Sequence, residues 1–164
     1  MQAIKIPLSQ NKFATIDAED FQRVNQFKWY CTKLGYAAHG IYEKGSGRRN
    51  RKSSIMLLHR FILNTPEGKI IDHANRNPLD NRKSNLRICN QSQNLANSKL
   101  ATTNKSGYKG VCWHALGKGY WRASITVHQK HKFIGLYNTR TEAALAYNRA
   151  AEKYFGEYAR GNTL

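Results

Sequence analysis

Residues 72–97 read DHANRNPLDNRKSNLRICNQSQNLAN, and the reading of this stretch decides what kind of fold the chain has. A carboxylate and an imidazole stand side by side at Asp72 and His73. Asparagines follow at Asn77, Asn81, Asn85, Asn90, Asn94 and Asn97, with Arg76, Arg82, Lys83 and Arg87 threaded between them. An oxygen ligand beside an imidazole, with amide oxygens further along, can hold a hard metal ion and activate a water. The arginines suit a phosphate diester. Asparagine also favours turns by bonding its own backbone, and that plainer account suffices for Asn77, Asn81 and Asn90. An Asp-His pair followed by amide side chains and arginines points beyond that to metal-dependent nuclease chemistry.

The flanks give this set a frame. Lys69-Ile70-Ile71 predicts a short strand that delivers Asp72 and His73 at its end. Residues 74–84 are a polar loop, and 85–89 alternate polar and apolar as a returning strand does. Asn90 or Ser92 can cap a short helix carrying Asn94, Leu95 and Asn97. Strand, long loop, strand and helix then let Asp72 and Asn94 face one point.

Upstream, residues 4–16 predict a hairpin around Ser9–Lys12, with Pro7 on an edge strand. In DAEDFQRVNQF, Asp17 can cap a helix on which Phe21 and Val24 share a face. Residues 28–42 predict a second hairpin around Gly35. The opening module has little core of its own, and its aromatic side chains are expected inside. Residues 43–54, EKGSGRRNRKSS, form a basic loop, where Arg49 and Arg51 are candidate phosphate contacts. The run IMLLHRFIL at 55–63 fits a strand or the start of a helix, and Thr65–Gly68 is a turn.

Downstream, residues 98–106 read as a linker. GYKGVCWH, YWRASITV and KFIGLY are three strand-like runs, broken at 115–119 and 129–131. Thr139–Glu142 is a capping box. Behind it Ala143, Tyr147, Ala150 and Tyr154 mark one helix face. Three strands and a helix make a two-layer module.

The totals point the same way. Twenty-seven Lys and Arg stand against 10 Asp and Glu, a formal charge of +17 over 164 residues. The excess runs along the whole chain (16 basic and 7 acidic before residue 99, 11 and 3 after), so a basic tail on a neutral body is excluded. Such a balance fits a polyanion, most often nucleic acid. The apolar runs are too short to span a bilayer, no amphipathic lysine-rich helix is evident, and MQAIKIPLSQ lacks a signal peptide's apolar core. Cys31, Cys89 and Cys112 are far apart, which disfavours a disulfide scaffold or a cysteine zinc site. They are expected reduced and buried, in a cytoplasmic protein of a bacterium or a phage-infected cell.

LHR at 58–60, DHANRNPLDNRKSNLR at 72–87 and QNLAN at 93–97 resemble the HNH endonucleases, in the variety common among phage and intron-encoded homing enzymes. The resemblance implies that Asp72 and Asn94 bind one Mg²⁺ or Mn²⁺ and that zinc plays no part. It makes His73 the general base and Asn85 the support of the loop. His59 is a candidate support, although a histidine between Leu58 and Phe61 is more often a partly buried packing residue. Arg82 and Arg87 are candidate phosphate clamps. The cysteine knuckle of many HNH domains is missing, so packing must brace the site instead.

SGYKGV, YWRASI, KFIGLYNTRTEAALAYNRAA and FGEYARGN, within 106–162, resemble the AP2 DNA-binding domain. That resemblance implies a sheet lying in the major groove, with Lys109, Trp113, Trp121, Arg122 and Lys130 as contacts. A packed Trp113–Trp121 pair is the competing account.

The expected protein is thus α+β. It has an N-terminal β-rich module at 1–54, a ββα-metal HNH unit at 55–98, a linker at 99–105 and an AP2-like domain at 106–164. Its expected activity is site-specific, homing-type nicking of double-stranded DNA, leaving a 5′ phosphate and a 3′ hydroxyl. One active site and no heptad repeat favour a monomer, with a dimer as the route to a double-strand break. Rival readings are a non-catalytic DNA-binding regulator, a non-specific nuclease and, more distantly, an RNA-binding protein, which lacks the expected paired aromatic strands.

Overall fold

The computed structural model describes residues 2–42, 53–115 and 117–164. They form an α+β protein whose contacts divide the chain into two units, Met1–Cys89 and Asn90–Leu164. The division falls inside the 55–98 stretch.

In the first unit, β1 (Ala3–Pro7) pairs antiparallel with β2 (Phe13–Asp17), Ala3 opposite Asp17. Gln10 and Asn11 take left-handed φ of 62° and 53° in the connection, the backbone twist that suits a tight hairpin. A 3₁₀ turn at Ala18–Asp20 runs into α1 (Phe21–Val24). Asp17 does not cap it. Its carboxylate instead accepts the backbone N–H of Lys83 at 2.8 Å. One turn of helix is too short to give Phe21 and Val24 a common buried face, so Val24 is buried and Phe21 exposed.

Next, β3 (Tyr30–Cys31), β4 (Ala37–Tyr42) and β5 (Ser53–Leu57) form an antiparallel sheet in that order. Gly35 turns the first hairpin at φ +87°, a conformation that favours glycine. The ambiguous run at 55–63 resolves as both elements, because α2 (Leu58–Leu63) starts where β5 ends. Asn64 closes α2 in the left-handed conformation. The hairpin of β6 (Ile70–His73) and β7 (Leu86–Cys89) completes the unit. Ile6, Ile16, Val24, Trp29, Leu58, Ile62 and Leu86 share one core, so the opening residues and the β6–β7 hairpin are packed as a single body.

In the second unit, α3 (Gln91–Asn97) begins with a reciprocal capping box. The Asn90 side chain accepts from Gln93 N, and the Gln93 side chain accepts from Asn90 N, both at 2.9 Å. A three-stranded antiparallel sheet follows, formed by β8 (Val111–His114), β9 (Tyr120–Val127) and β10 (Lys130–Tyr137), with β9 central. The β9–β10 turn is tighter than expected, with His128 and Gln129 at positive φ. Thr139 and Glu142 make the expected capping box on α4 (Arg140–Phe155). The buried face of α4 is Ala143, Ala144, Tyr147, Ala151 and Phe155. Ala150 is half-buried, and Tyr154 is exposed under the Lys132 ammonium, 4.8 Å from its ring. The expected stripe therefore holds at Ala143 and Tyr147 and runs one residue short at Ala151 and Phe155, as a helix with 3.6 residues per turn allows.

Tyr147 also explains Gly110. A Cβ there would lie 2.1 Å from the Tyr147 ring and 2.5 Å from the Ser124 carbonyl, so only glycine fits. Asn104 Nδ2 and the hydroxyl of the buried Ser106 donate to the Tyr108 carbonyl, and Gly107 N donates to the Asn104 side chain. Cys31 and Cys89 are buried, but Cys112 is exposed on the face of β8 turned away from the core. Among the described residues no helix is long and apolar enough to cross a membrane.

Candidate active site

β6 ends on Asp72 and His73, and both are buried. The β6–β7 register sets Arg87 opposite Asp72, and the Arg87 guanidinium pairs with the Asp72 carboxylate. Such a buried pair needs both partners, since removal of one leaves an uncompensated charge.

The loop between the two strands is held by its own polar groups. The Asn85 side chain donates to the Asp80 carbonyl at 2.7 Å and accepts from Asn75 N at 2.9 Å. Ala74 N donates to the Asn85 carbonyl at 2.8 Å, so one asparagine fixes three points of the loop. The Asp80 carboxylate accepts from Asn75 Nδ2 at 2.7 Å and from Arg82 Nε and Nη2 at 2.8 and 2.7 Å. Arg82 holds that carboxyl below the usual carboxylate range.

The loop is then docked on β2. Thr15 N donates to the Leu79 carbonyl and Asn81 N to the Thr15 carbonyl, both at 2.7 Å. Beside them Asp17 accepts from Lys83 N, while the Lys83 ammonium reaches Glu19 at 2.5 Å and Asp20 at 3.3 Å. This is the brace that stands where a cysteine knuckle is absent.

A second histidine lies at the site. His59, in the first turn of α2, sets its ring perpendicular to that of His73, 88° between planes and 5.2 Å between centroids. Tyr36 closes on both rings, at 5.5 Å from His59 and 6.0 Å from His73. Burial lowers the pKa of His59 to about 4, helped by the charges of His73 and Arg60. Burial also lowers the pKa of His73, opposed by the Asn81 side chain and by Asp72 and Asp80. His59 Nδ1 is buried without a hydrogen-bond partner among the described residues.

Asp72, His73, Asn85, His59, Arg82 and Arg87 thus all belong to the first unit. Arg82 and Arg87 differ from free clamps, because each is already paired with a carboxylate. Asn94 is half-buried on α3, in the second unit. Arg49 and Arg51 lie outside the described residues. Spacing alone did not single out Asp80, Asn75, Tyr36, Thr15 or Asp17. Asp80, the lone carboxylate in a loop of amides and cations, carried the only usable signal.

The second unit redistributes the expected DNA contacts. Trp113 and Trp121 are register partners packed 5.2 Å apart at 68°. They share the face of Val111 and Ala123, where Trp121 packs on the core beside Ala143 and Ala144. The Lys109 ammonium donates to the carbonyls of Ala96 at 2.6 Å and Ser98 at 3.1 Å, a C-terminal cap for α3. Lys130 stands opposite Val127, at the end of the core-facing rows. Arg122 alone of the five lies on the face of the sheet opposite α4, where it is half-buried with its guanidinium 5.6 Å from the exposed Phe133 ring.

Of the two carboxylates nearest His73 in the chain, Asp80 is bonded by Asn75 and Arg82, and Asp72 is paired with Arg87. No group of three or more His, Cys, Asp or Glu able to hold a metal occurs among the described residues. Asp72 would hold a hard cation only in a sparse oxygen site, with water and phosphate oxygens supplying the remaining ligands, rather than in a closed protein cage.

A family model described as HNH endonuclease matches residues 64–96, the β6–loop–β7–α3 stretch. The chain is 33% identical over 158 residues to a protein of Acanthamoeba polyphaga mimivirus described as an uncharacterized HNH endonuclease, covering 93% of this chain and 75% of that protein. It is 32% identical over 95 residues to Protein 3.8 of Escherichia phage T7, covering 58% of this chain and 77% of the relative.

Proposed function

Because the chain belongs to the HNH endonuclease family and is thereby a nuclease acting on DNA, we propose that it is a site-specific, homing-type nicking enzyme. It hydrolyses one phosphodiester of duplex DNA to a 5′ phosphate and a 3′ hydroxyl. The observation that carries the reading is the buried Asp72–His73 pair at the end of β6, held by a loop whose polar groups are bonded to one another.

His73 is the general base. Its lowered pKa keeps the imidazole neutral at neutral pH, so it can take a proton from the attacking water. Asp72 is the metal-binding carboxylate that this unit supplies, and Arg87 fixes its orientation from the neighbouring strand. Mg²⁺ or Mn²⁺ bound there would offset the charge that develops on the phosphate and the leaving oxygen. Asn85 keeps the loop in place through its bonds to Asp80 and Asn75. Asn94 is the second ligand implied by the family pattern.

The segment 106–164 is the DNA-reading module, which supplies register on the duplex, and Arg122 with Phe133 is its contact pair. Cation and aromatic together can meet phosphate and base. The +17 charge speeds encounter with DNA. A monomer with one active site cuts one strand.

The test is cleavage of supercoiled plasmid carrying candidate target DNA, with Mg²⁺ and with EDTA, by the parent and by His73→Ala. Metal-dependent conversion to open circle is expected, lost in His73→Ala while binding persists. Early linear product would replace the monomer by paired subunits. Specific binding with no cutting in either metal would replace the enzyme by a regulator.

A further inference from the structure

Three features of the first unit meet at one point that the proposed reaction does not use. His59 is buried, its Nδ1 has no hydrogen-bond partner among the described residues, and its ring stands perpendicular to His73 at 5.2 Å. It sits on a rigid support, because its neighbour Leu58 and Ile62, one turn on, are both buried in the core. The third wall is Tyr36, tilted 67° to His59 and 44° to His73.

We propose that His59 is a positioning residue for the nuclease reaction, an aromatic wall that fixes the plane of the His73 ring. The inference rests on His73 being the general base. A base acts only when the lone pair of its nitrogen points at the water, and an imidazole is free to turn about χ2 unless something stops it. Edge-to-face contact is the preferred packing of two aromatic rings and restricts that rotation. Lodged between His59 and Tyr36, His73 has its plane set from two sides.

The wall must also be uncharged. His73 becomes an imidazolium when it accepts the proton, and a second cation 5.2 Å away would oppose that step. Burial keeps His59 neutral through the working pH range. A wall of this kind touches neither DNA nor metal, so its loss appears in the chemical step and not in binding.

The experiment compares His59→Phe, His59→Gln and His59→Ala in single-turnover nicking at saturating protein, alongside DNA affinity by fluorescence anisotropy. His59→Phe keeps a neutral ring without the nitrogens, and His59→Gln keeps a polar group without the ring. The expected result is a 10- to 100-fold slower cleavage step for His59→Ala and His59→Gln, with DNA affinity within about twofold. His59→Phe is expected to recover most of the rate.

A second readout is the ¹³C–¹H correlation of the His73 ring. Its ring-current shift should be kept in His59→Phe and lost in His59→Gln. It remains measurable in His59→Phe if His59→Ala fails to fold. The proposal is overturned if His59→Gln is as fast as the parent while His59→Phe is slow, which would make His59 a polar contact. It is also overturned if the loss falls on DNA affinity with the cleavage step unchanged. His73→Ala runs beside them. If it still nicks, the general-base reading fails on its own, whatever the His59 series does.

Discussion

The 74–85 loop of the first unit and the three-stranded sheet of the second are both rich in polar side chains, but they use them in opposite ways. In the loop, Asp80, Asn81 and Asn85 are buried and turned inward. Asp80 and Asn85 alone connect Asn75, Ala74, Arg82 and the loop backbone. On the sheet, Arg122, Thr126, His131 and Phe133 lie on the face opposite the one on which α4 packs. Buried polar groups bonded to each other fix geometry, since each costs free energy when its partner is removed. Exposed ones leave their bonding capacity for something else. Substitutions in the loop should therefore damage stability and chemistry together, and substitutions on the sheet face should damage affinity alone.

The largest effect is expected at Asn85. Asn85→Ala removes a donor to the Asp80 carbonyl, in a buried place, and an acceptor for Asn75 N, at a partly buried one. Two such losses cost about 2–4 kcal/mol in urea unfolding. The nicking rate should fall more than about 100-fold, because displacement of a catalytic group by about 1 Å is already this costly. Stability held at the parent level would break the contrast, since it would mean that the loop does not depend on its internal bonds.

Acid should act next, and on the same unit. His59 binds its proton in the unfolded chain near pH 6.5 but in the folded one only near 4, because burial disfavours the charged form. The unfolded state therefore holds more protons between these values, and stability falls as pH drops through that window. The full difference is on the order of 3 kcal/mol. His73 shifts in the same direction and adds to the loss. Urea midpoints at pH 7.5, 5.5 and 4.5 should decline in turn for the parent and decline less for His59→Phe. Equal declines would detach His59 from the acid response.

How much of this was legible in the sequence depended on distance along the chain. The end of β6, the returning β7, the Asn90 and Thr139 caps and the Gly35 turn all follow from neighbours within a few residues, and all stand where the pattern put them. The family resemblance rested on the same short spacings. What eluded the reading was non-local. Asp17 has the sequence setting of a helix cap, and nothing near it reveals that Lys83 N, 66 residues on, is its partner. Thr15 offers no side-chain signal for its two backbone bonds to Leu79 and Asn81. For His59 the sequence leaves a support of the site and a packing residue both open, because the ring it packs against arrives from β6. For the tryptophans the sequence leaves a groove contact and a packed pair both open, since alternation along a strand defines two faces without saying which one a helix will cover.

The smallest effect tests the contrast within the second unit, with Lys109 set against Arg122. Both are cations in the basic sequence, but the Lys109 ammonium is turned onto the Ala96 and Ser98 carbonyls at the end of α3. A cation there meets the negative end of the helix dipole, worth about 0.3–1 kcal/mol. Lys109→Met should therefore lower stability by that amount and leave the salt dependence of DNA binding almost unchanged. Arg122→Ala should do the reverse, weakening DNA binding about tenfold, or about 1.4 kcal/mol, with little change in the urea midpoint. Titrations at several salt concentrations separate the two, because each phosphate that a side chain neutralises contributes about 0.9 to the slope of log K against log salt. If Lys109→Met flattens that slope and Arg122→Ala does not, the inward and outward assignments must be exchanged, and the face of the sheet opposite α4 ceases to be the side that reads DNA.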